Sequence, residues 1–197
     1  MGPRDDAGYL LRHAQGFVLI MKRRARGFSI LEVMVVVAII GILLSMGVPS
    51  FFTYTQNLQI RSAAEQITAG MNIAKNEAIR RNVTVQFALD TGTAWRINLA
   101  SDANGIPLQT RDANEGSVNV TRDVLPDQAY AITFNGMGRV SPTNADDSLA
   151  MTQIDLDNPM IANAVDRRKL RVVIPVGGAV RLCDPQVLVT TDPRICP

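Results

Sequence analysis

Imidazole chemistry is almost missing from this sequence. The one histidine, His13, falls within the first 27 residues, so nothing beyond it can supply a histidine general base, a histidine-based triad or a histidine-containing metal site. Cysteine is scarce too: Cys183 and Cys196 are too few for a structural zinc site. They either pair as a disulfide, the simplest outcome in an exported domain, or stay as buried free thiols in a cytosolic one. Excess charge is also absent. The chain carries 20 basic and 18 acidic residues, but residues 1–27 hold six of the basic ones (Arg4, Arg12, Lys22, Arg23, Arg24, Arg26) and two acids (Asp5, Asp6). The remainder is left with 14 basic against 16 acidic residues. Such a balance gives no bulk attraction for nucleic acid, and any binding must come from a local patch. Serine, aspartate and glutamate are plentiful, yet no spacing of them suggests catalysis. Gly177-Gly178 is not followed by a helix bearing Lys-Ser/Thr, so it reads as a turn rather than a phosphate loop. The acidic loop between Asp146 and Asp157 lacks the alternation of a calcium-binding EF-hand and reads as solvated. No catalytic residue, metal or cofactor is assigned, and no enzyme is expected.

What is present is a long apolar stretch. Between Phe28 and Val48 one residue, Glu32, is charged, and a helix of this length is sufficient to cross a bilayer core. A carboxylate near the start of such a segment is costly in hydrocarbon and is therefore a candidate functional residue. Lys22, Arg23, Arg24 and Arg26 precede the run and set its orientation, N-terminus cytoplasmic and C-terminus exported. A cleaved secretory signal is the competing reading. Those have shorter apolar cores ending in small residues, which Ser45-Met46-Gly47 only weakly imitates, so the helix is expected to be retained. Residues 1–20 carry no coherent signal, and Met21 is the expected true start.

After Pro49 the pattern becomes amphipathic. Ile60, Ala64, Ile67, Met71, Ala74 and Ala78 recur at spacings of three or four, predicting a core-facing stripe, with Gly70 weakening its middle. Pro49 is expected to bend an otherwise continuous helix from Phe28 to Arg81. The remainder reads as β-rich. Val83–Leu89 and Thr93–Leu99 flank Asp90-Thr91-Gly92 as a hairpin, and Leu170–Val176 and Ala179–Cys183 flank Gly177-Gly178 as a second. Val118–Leu125, Tyr130–Phe134 and Met151–Leu156 are further strands, Asn135–Gly138 is a turn, and Ala100–Glu115 is a loop. The expected fold is therefore α+β, a long N-terminal helix whose second half packs on an antiparallel sheet.

The stretch Gly27-Phe28-Ser29-Ile30-Leu31-Glu32, its apolar continuation and Pro49 resemble the type IV prepilin motif. Within the pilins, Phe134-Asn135-Gly136-Met137-Gly138-Arg139, Ala74-Lys75-Asn76-Glu77-Ala78-Ile79 and Gly178-Ala179-Val180-Arg181-Leu182-Cys183 are similar to the GspH/FimT family of type II secretion pseudopilins and minor pilins. The resemblance implies a prepilin peptidase that cuts between Gly27 and Phe28 and methylates the new amine of Phe28. It divides the chain into a removed leader (1–27), a membrane helix (28–48), an amphipathic continuation (49–82) and a periplasmic head (83–197). Glu32 would then pair with the Phe28 amine of a neighbouring pilin in the filament, each group meeting the other's desolvation cost. It implies residence in the inner membrane before assembly into a pilus or pseudopilus. DNA-binding members use a Gly-Arg-x-Arg element; here the matching run is Gly178-Ala179-Val180-Arg181, with Arg167, Arg168 and Arg171 nearby as further candidates for phosphate contact. A solvated strand edge that discourages edge pairing is the plainer account of those cations. A third reading is a single-pass anchored periplasmic receptor that is never cut.

Overall fold

The computed structural model describes residues 27–197. The leader, the basic cluster and the start at Met21 lie outside the described residues. Two compact units are distinguished, one up to Ile42 and the other from Leu43 onward. A 52-residue helix, α1 (Ile30–Arg81), contributes to both.

Local chemistry sets both ends of α1. The Glu32 N–H donates to Ser29 Oγ at 3.1 Å, which makes Ser29 the N-cap and Glu32 the acid of the first turn, where the helix dipole favours negative charge. At the other end Asn82 takes a left-handed conformation (φ 51°). Its N–H reaches Ile79 O, and the Val83 N–H reaches Ala78 O, each at 3.2 Å, the paired closure of a Schellman motif. Asparagine tolerates that conformation, so Asn82 ends the helix without a glycine. Val83 and Thr84 are taken up in leaving the cap, and the first strand starts two residues later than the alternation suggests. Pro49 lies inside α1 and does not terminate it.

Eight strands follow among the described residues: β1 (Val85–Leu89), β2 (Trp95–Leu99), β3 (Gln109–Arg111), β4 (Thr121–Leu125), β5 (Ala131–Phe134), β6 (Gln153–Asp157), β7 (Leu170–Val173) and β8 (Arg181–Cys183). Both predicted hairpins form, with Leu89 opposite Trp95 in the first and Val173 opposite Arg181 in the second. The expected α+β architecture of helix and antiparallel strands is borne out, with the strands divided rather than joined in a single sheet. Two antiparallel four-stranded sheets form, in the orders β3-β2-β1-β5 and β4-β6-β7-β8. The chain passes from β4 in the second sheet to β5 in the first and back to β6, a partnership that side-chain alternation does not encode. The expectation of a loop over 100–115 also fails in part. β3 is an edge strand of polar residues (Gln109, Thr110, Arg111) held to β2 by backbone bonds alone, so it has no hydrophobic period to read.

The stripe of α1 fits the core as predicted: Ile60, Ala64, Ile67, Met71, Ala74 and Ala78 are fully buried. They join Phe87, Ile97, Ile132 and Phe134 of the first sheet and Ile154, Leu156 and Val172 of the second in one cluster. Burying each of the larger side chains stabilises by about 1.5–3 kcal/mol. Gly70 has a different role from the one its propensity suggests. A Cβ there would lie 2.8 Å from the Phe87 ring and 2.9 Å from the Trp95 ring, so the missing side chain lets these two packed aromatics touch the helix backbone. The outer face of the first sheet is closed by loop 141–150, whose buried Asn144 accepts from Thr133 Oγ1 at 2.9 Å and donates to Ala131 O. That cover explains why every residue of β1 is buried.

Gly70→Ala should therefore destabilise the protein by about 1–2 kcal/mol. The gain of about 1 kcal/mol in helix propensity is outweighed by overpacking against two rings. Urea unfolding of the full chain in detergent micelles measures this; a variant more stable than the parent would show that the aromatics relax away freely.

Candidate functional site

The N-terminal junction is open. Phe28 is 81% exposed, and an added Cβ at Gly27 meets nothing within 4 Å. From Ile30 to Phe52 every residue of α1 is exposed, although most are large and apolar. The most apolar 18-residue window of α1 has a mean hydropathy of 2.6 and buries none of its surface. Water does not tolerate such a rod; length and composition suit it to a bilayer or to the apolar helices of other subunits. Glu32 is the one charged side chain in it. Its position at the third residue after the Ser29 cap was legible as Ser-x-x-Glu, a helix-start signature the sequence reading passed over.

The predicted basic patch is brought to one hairpin but not assembled as a cationic surface. Arg171 lies directly across from Asp155 and binds it through two bonds, of 2.6 and 3.0 Å. Arg167 reaches Asp157 at 3.3 Å and Ile161 O at 2.8 Å, and Lys169 reaches the same carboxylate at 3.0 Å. Partial burial pushes the Asp157 carboxyl up, but the Lys169 hydrogen bond, the Asn158 N–H and the charges of Lys169 and Arg167 outweigh it and hold the carboxyl below its usual range. Arg168 and Arg181 form no ion pair among the described residues. They stand at opposite ends of the hairpin. Arg181 faces Val173, five residues beyond Arg168, which is about 16 Å of extended chain. Arg171 and Arg181 are diagonal neighbours rather than a facing pair, since Arg171 faces Cys183. Two acidic residues on β6, Asp155 and Asp157, thus pair with Arg167 and Arg171 of the grouped arginines and with the intervening Lys169.

Cys183 and Cys196 are joined as a disulfide with Cα atoms 5.1 Å apart, closing the loop after β8. The Asp184 N–H donates to Arg194 O at 2.8 Å inside that loop.

Three sequence runs, distant along the chain, meet at the C-terminal end of α1. Lys75 Nζ donates to Gly178 O at 3.0 Å. A Cβ at Gly138 would meet Ile79 at 2.7 Å and Lys75 at 3.0 Å, and one at Gly178 would lie 2.2 Å from Gly138 O. Both glycines have positive φ, 74° and 72°, so each position demands glycine for conformation as well as space. The Asn135 carboxamide holds the same turn, accepting from the N–H groups of Met137 and Arg139 at 3.0 Å each. The runs 74–79, 134–139 and 178–183 therefore form one structural knot rather than a catalytic or ligand site.

The family description of type II transport protein GspH matches residues 63–186, which include this whole knot and both sheets, and the prokaryotic N-terminal methylation motif matches residues 22–48. The chain belongs to the GspH family. The family is one of pilin-like structural subunits of pili and pseudopili, and this chain is such a subunit. Two curated fimbrial proteins of Pseudomonas aeruginosa are each 29% identical over 112 residues, spanning 54% of this chain and 73% of theirs. Among solved structures, the type IV minor pilin FimU of Pseudomonas aeruginosa is similar at 21% identity and a TM-score of 0.49, covering 69% of this chain and 99% of that one. The minor pseudopilin EpsH from the type 2 secretion system of Vibrio cholerae is similar at 13% identity and a TM-score of 0.45, covering 66% and 99%. Within the family match, Gly138 and Gly178 of the knot are accounted for by their positive φ and close packing; outside it, the apolar run with its methylation motif is exposed.

The ion pairs on β6 give a direct test of the cationic surface. Asp155→Asn combined with Asp157→Asn releases Arg167, Lys169 and Arg171 together. The variant should bind duplex DNA with a log–log salt slope steeper by about 2–3 than the parent, at about 0.9 per phosphate contact. Equal slopes for both proteins would show that these carboxylates do not mask the patch.

Proposed function

We propose that the chain is made as a precursor, cut by a prepilin peptidase between Gly27 and Phe28, and methylated on the amine of Phe28. In this reading residues 1–27 are the leader, with Met21 the start, 28–48 anchor the subunit in the inner membrane, 49–82 continue the helix and 83–197 form a periplasmic head. The basic residues before Gly27 keep the N-terminus on the cytoplasmic side. The subunit then leaves the bilayer for a pilus or pseudopilus as a minor component, its apolar rod exchanging lipid for the rods of its neighbours.

The observation that carries this reading is the wholly exposed apolar face of α1 with Glu32 as its one charge, directly after an open Gly-Phe junction. Glu32 is assigned to the Phe28 amine of an adjacent subunit, which offsets the desolvation of both groups and fixes the register between helices. The Ser29 cap supports this assignment, because it starts the helix at Ile30, two residues past Phe28, and fixes Glu32 in the first turn. A pairing of cations on the hairpin with DNA has no comparable support, since Asp155 and Asp157 occupy most of them. An uncut periplasmic receptor would have no use for an accessible Gly-Phe junction.

Two measurements test the proposal. Mass spectrometry of the native protein should find N-methyl-phenylalanine from Phe28 as the first residue; an intact leader in cells with a working peptidase would favour the receptor. Glu32→Ala should leave insertion and cleavage unchanged but lower incorporation into sheared filaments about tenfold or more. Normal incorporation would remove the pairing role of Glu32.

A further inference from the structure

Directly after the apolar run, the head carries a groove of about 800 Å³ that begins at Pro49 and Ser50 and climbs past Tyr54 and Asn57 to Arg168 and Val187. Its two far walls are fixed by specific bonds. Asn57 Nδ2 donates to Asp166 O at 2.9 Å, and the Arg168 N–H donates to Asn57 Oδ1 at 2.8 Å, so one asparagine ties segment 165–168 to the helix. Asn57 lies eight residues beyond Pro49, about 12 Å along a helix at 1.5 Å per residue. The other wall is the loop closed by the Cys183–Cys196 disulfide.

Both walls present apolar side chains to solvent. Val165 is 85% exposed, and Leu188 and Val189, which follow Val187 of the groove, are 85% and 62% exposed. Phe51, Phe52 and Tyr54 on the adjoining turns of α1 are exposed as well. Arg168 points its charge into this setting without an ion pair among the described residues. The other charges nearby are balanced. Arg167 is bonded to Asp157, and Arg194 to Asp192, which holds that carboxyl down to about 2. Asp166 accepts from the Asn163 amide, and Asp184 accepts from the Gln186 N–H and lies near Arg194. A near-neutral rim with protruding aliphatic and aromatic residues and one free guanidinium is suited to a phospholipid interface, where apolar side chains enter the acyl boundary and arginine meets phosphate.

We propose that this end of the head is a membrane-docking collar: Val165, Leu188 and Val189 dip into the interface beside Phe51 and Phe52, and Arg168 binds a phospholipid phosphate. The occupant follows from continuity: the collar starts one residue after the apolar run of Phe28–Val48, the headgroup layer is some 5–7 Å deep on each side of the hydrocarbon, and an arginine side chain about 6–7 Å long reaches back to it from the level of Asn57. Docking depends little on anionic lipid, since the rim has no net positive charge. It holds the head against the bilayer before assembly, and leaving the membrane breaks these contacts. The proposal rests on the anchoring of residues 28–48.

The test uses the full chain in phosphatidylcholine vesicles whose acyl chains are brominated near the headgroup. Trp95 is buried in the head, so the parent gives an unquenched background. Leu188→Trp adds a fluorophore at an exposed site, and its emission should fall at least twofold in brominated relative to plain vesicles. Adding Arg168→Ala should restore most of that emission. Val48→Trp, at the interfacial end of the apolar run, reports the anchor. If position 48 is quenched and position 188 is not, the collar is wrong and the anchor stands; if neither is quenched, the anchoring reading itself is wrong. Quenching at 188 that ignores Arg168→Ala would overturn the phosphate contact.

Discussion

One helix has to satisfy two surroundings, and the rest of the molecule is arranged around that demand. Over its first half α1 exposes a nearly unbroken apolar surface that only lipid or other apolar helices can cover. Over its second half it buries a narrow stripe of mostly small residues. Ala63, Ala64, Ala74 and Ala78 let strands approach the helix closely, and Gly70 lets two aromatic rings reach its backbone. A wider stripe of leucines would hold the sheets further off and leave Phe87 and Trp95 without their seat. The head is thus built on the helix rather than attached to it.

Two four-stranded sheets share that stripe, with the chain crossing between them at β4, at β5 and again at β6. The cross-connections are stabilised by polar groups with named partners. Asn158 donates to Gln56 Oε1 at 2.9 Å where the buried half of the helix begins, and Asn144 closes the outer face of the first sheet. At the far end, Lys75 and two positive-φ glycines lock the turn at 135–139 to the hairpin at 178. Each of these is a buried or half-buried polar group whose partner lies far away in sequence, and each would be costly to leave unpaired.

The functional part of the molecule is simple by comparison. The described residues contain no cluster of metal-ligating side chains. In the proposed function the subunit works through surfaces: an apolar rod suited to lipid or to like rods, and a single acid that gives the rod a register. That reading needs the rod to be comfortable in two places, since assembly would exchange one apolar environment for another, with little net hydrophobic gain. The proposed pairing at Glu32 would then have disproportionate influence on which state is preferred.

Local patterns are what the chain alone determined. The apolar run, the Gly-Phe junction with Glu32, the core stripe from Ile60 to Ala78 and the two hairpins each depend on residues a few positions apart, so their periods and turn residues are visible in one dimension. The tertiary structure decided what depends on partners. It placed β3 at an edge through backbone bonds that leave no hydrophobic trace, and split the strands between two sheets. It turned Gly70 from a weak point into a seat for two rings, and set Asp155 and Asp157 against three of the hairpin's cations. A charge or a glycine carries its meaning in what lies opposite it, and for those residues the opposite group is 10 to 25 positions away in sequence, beyond the reach of any local period.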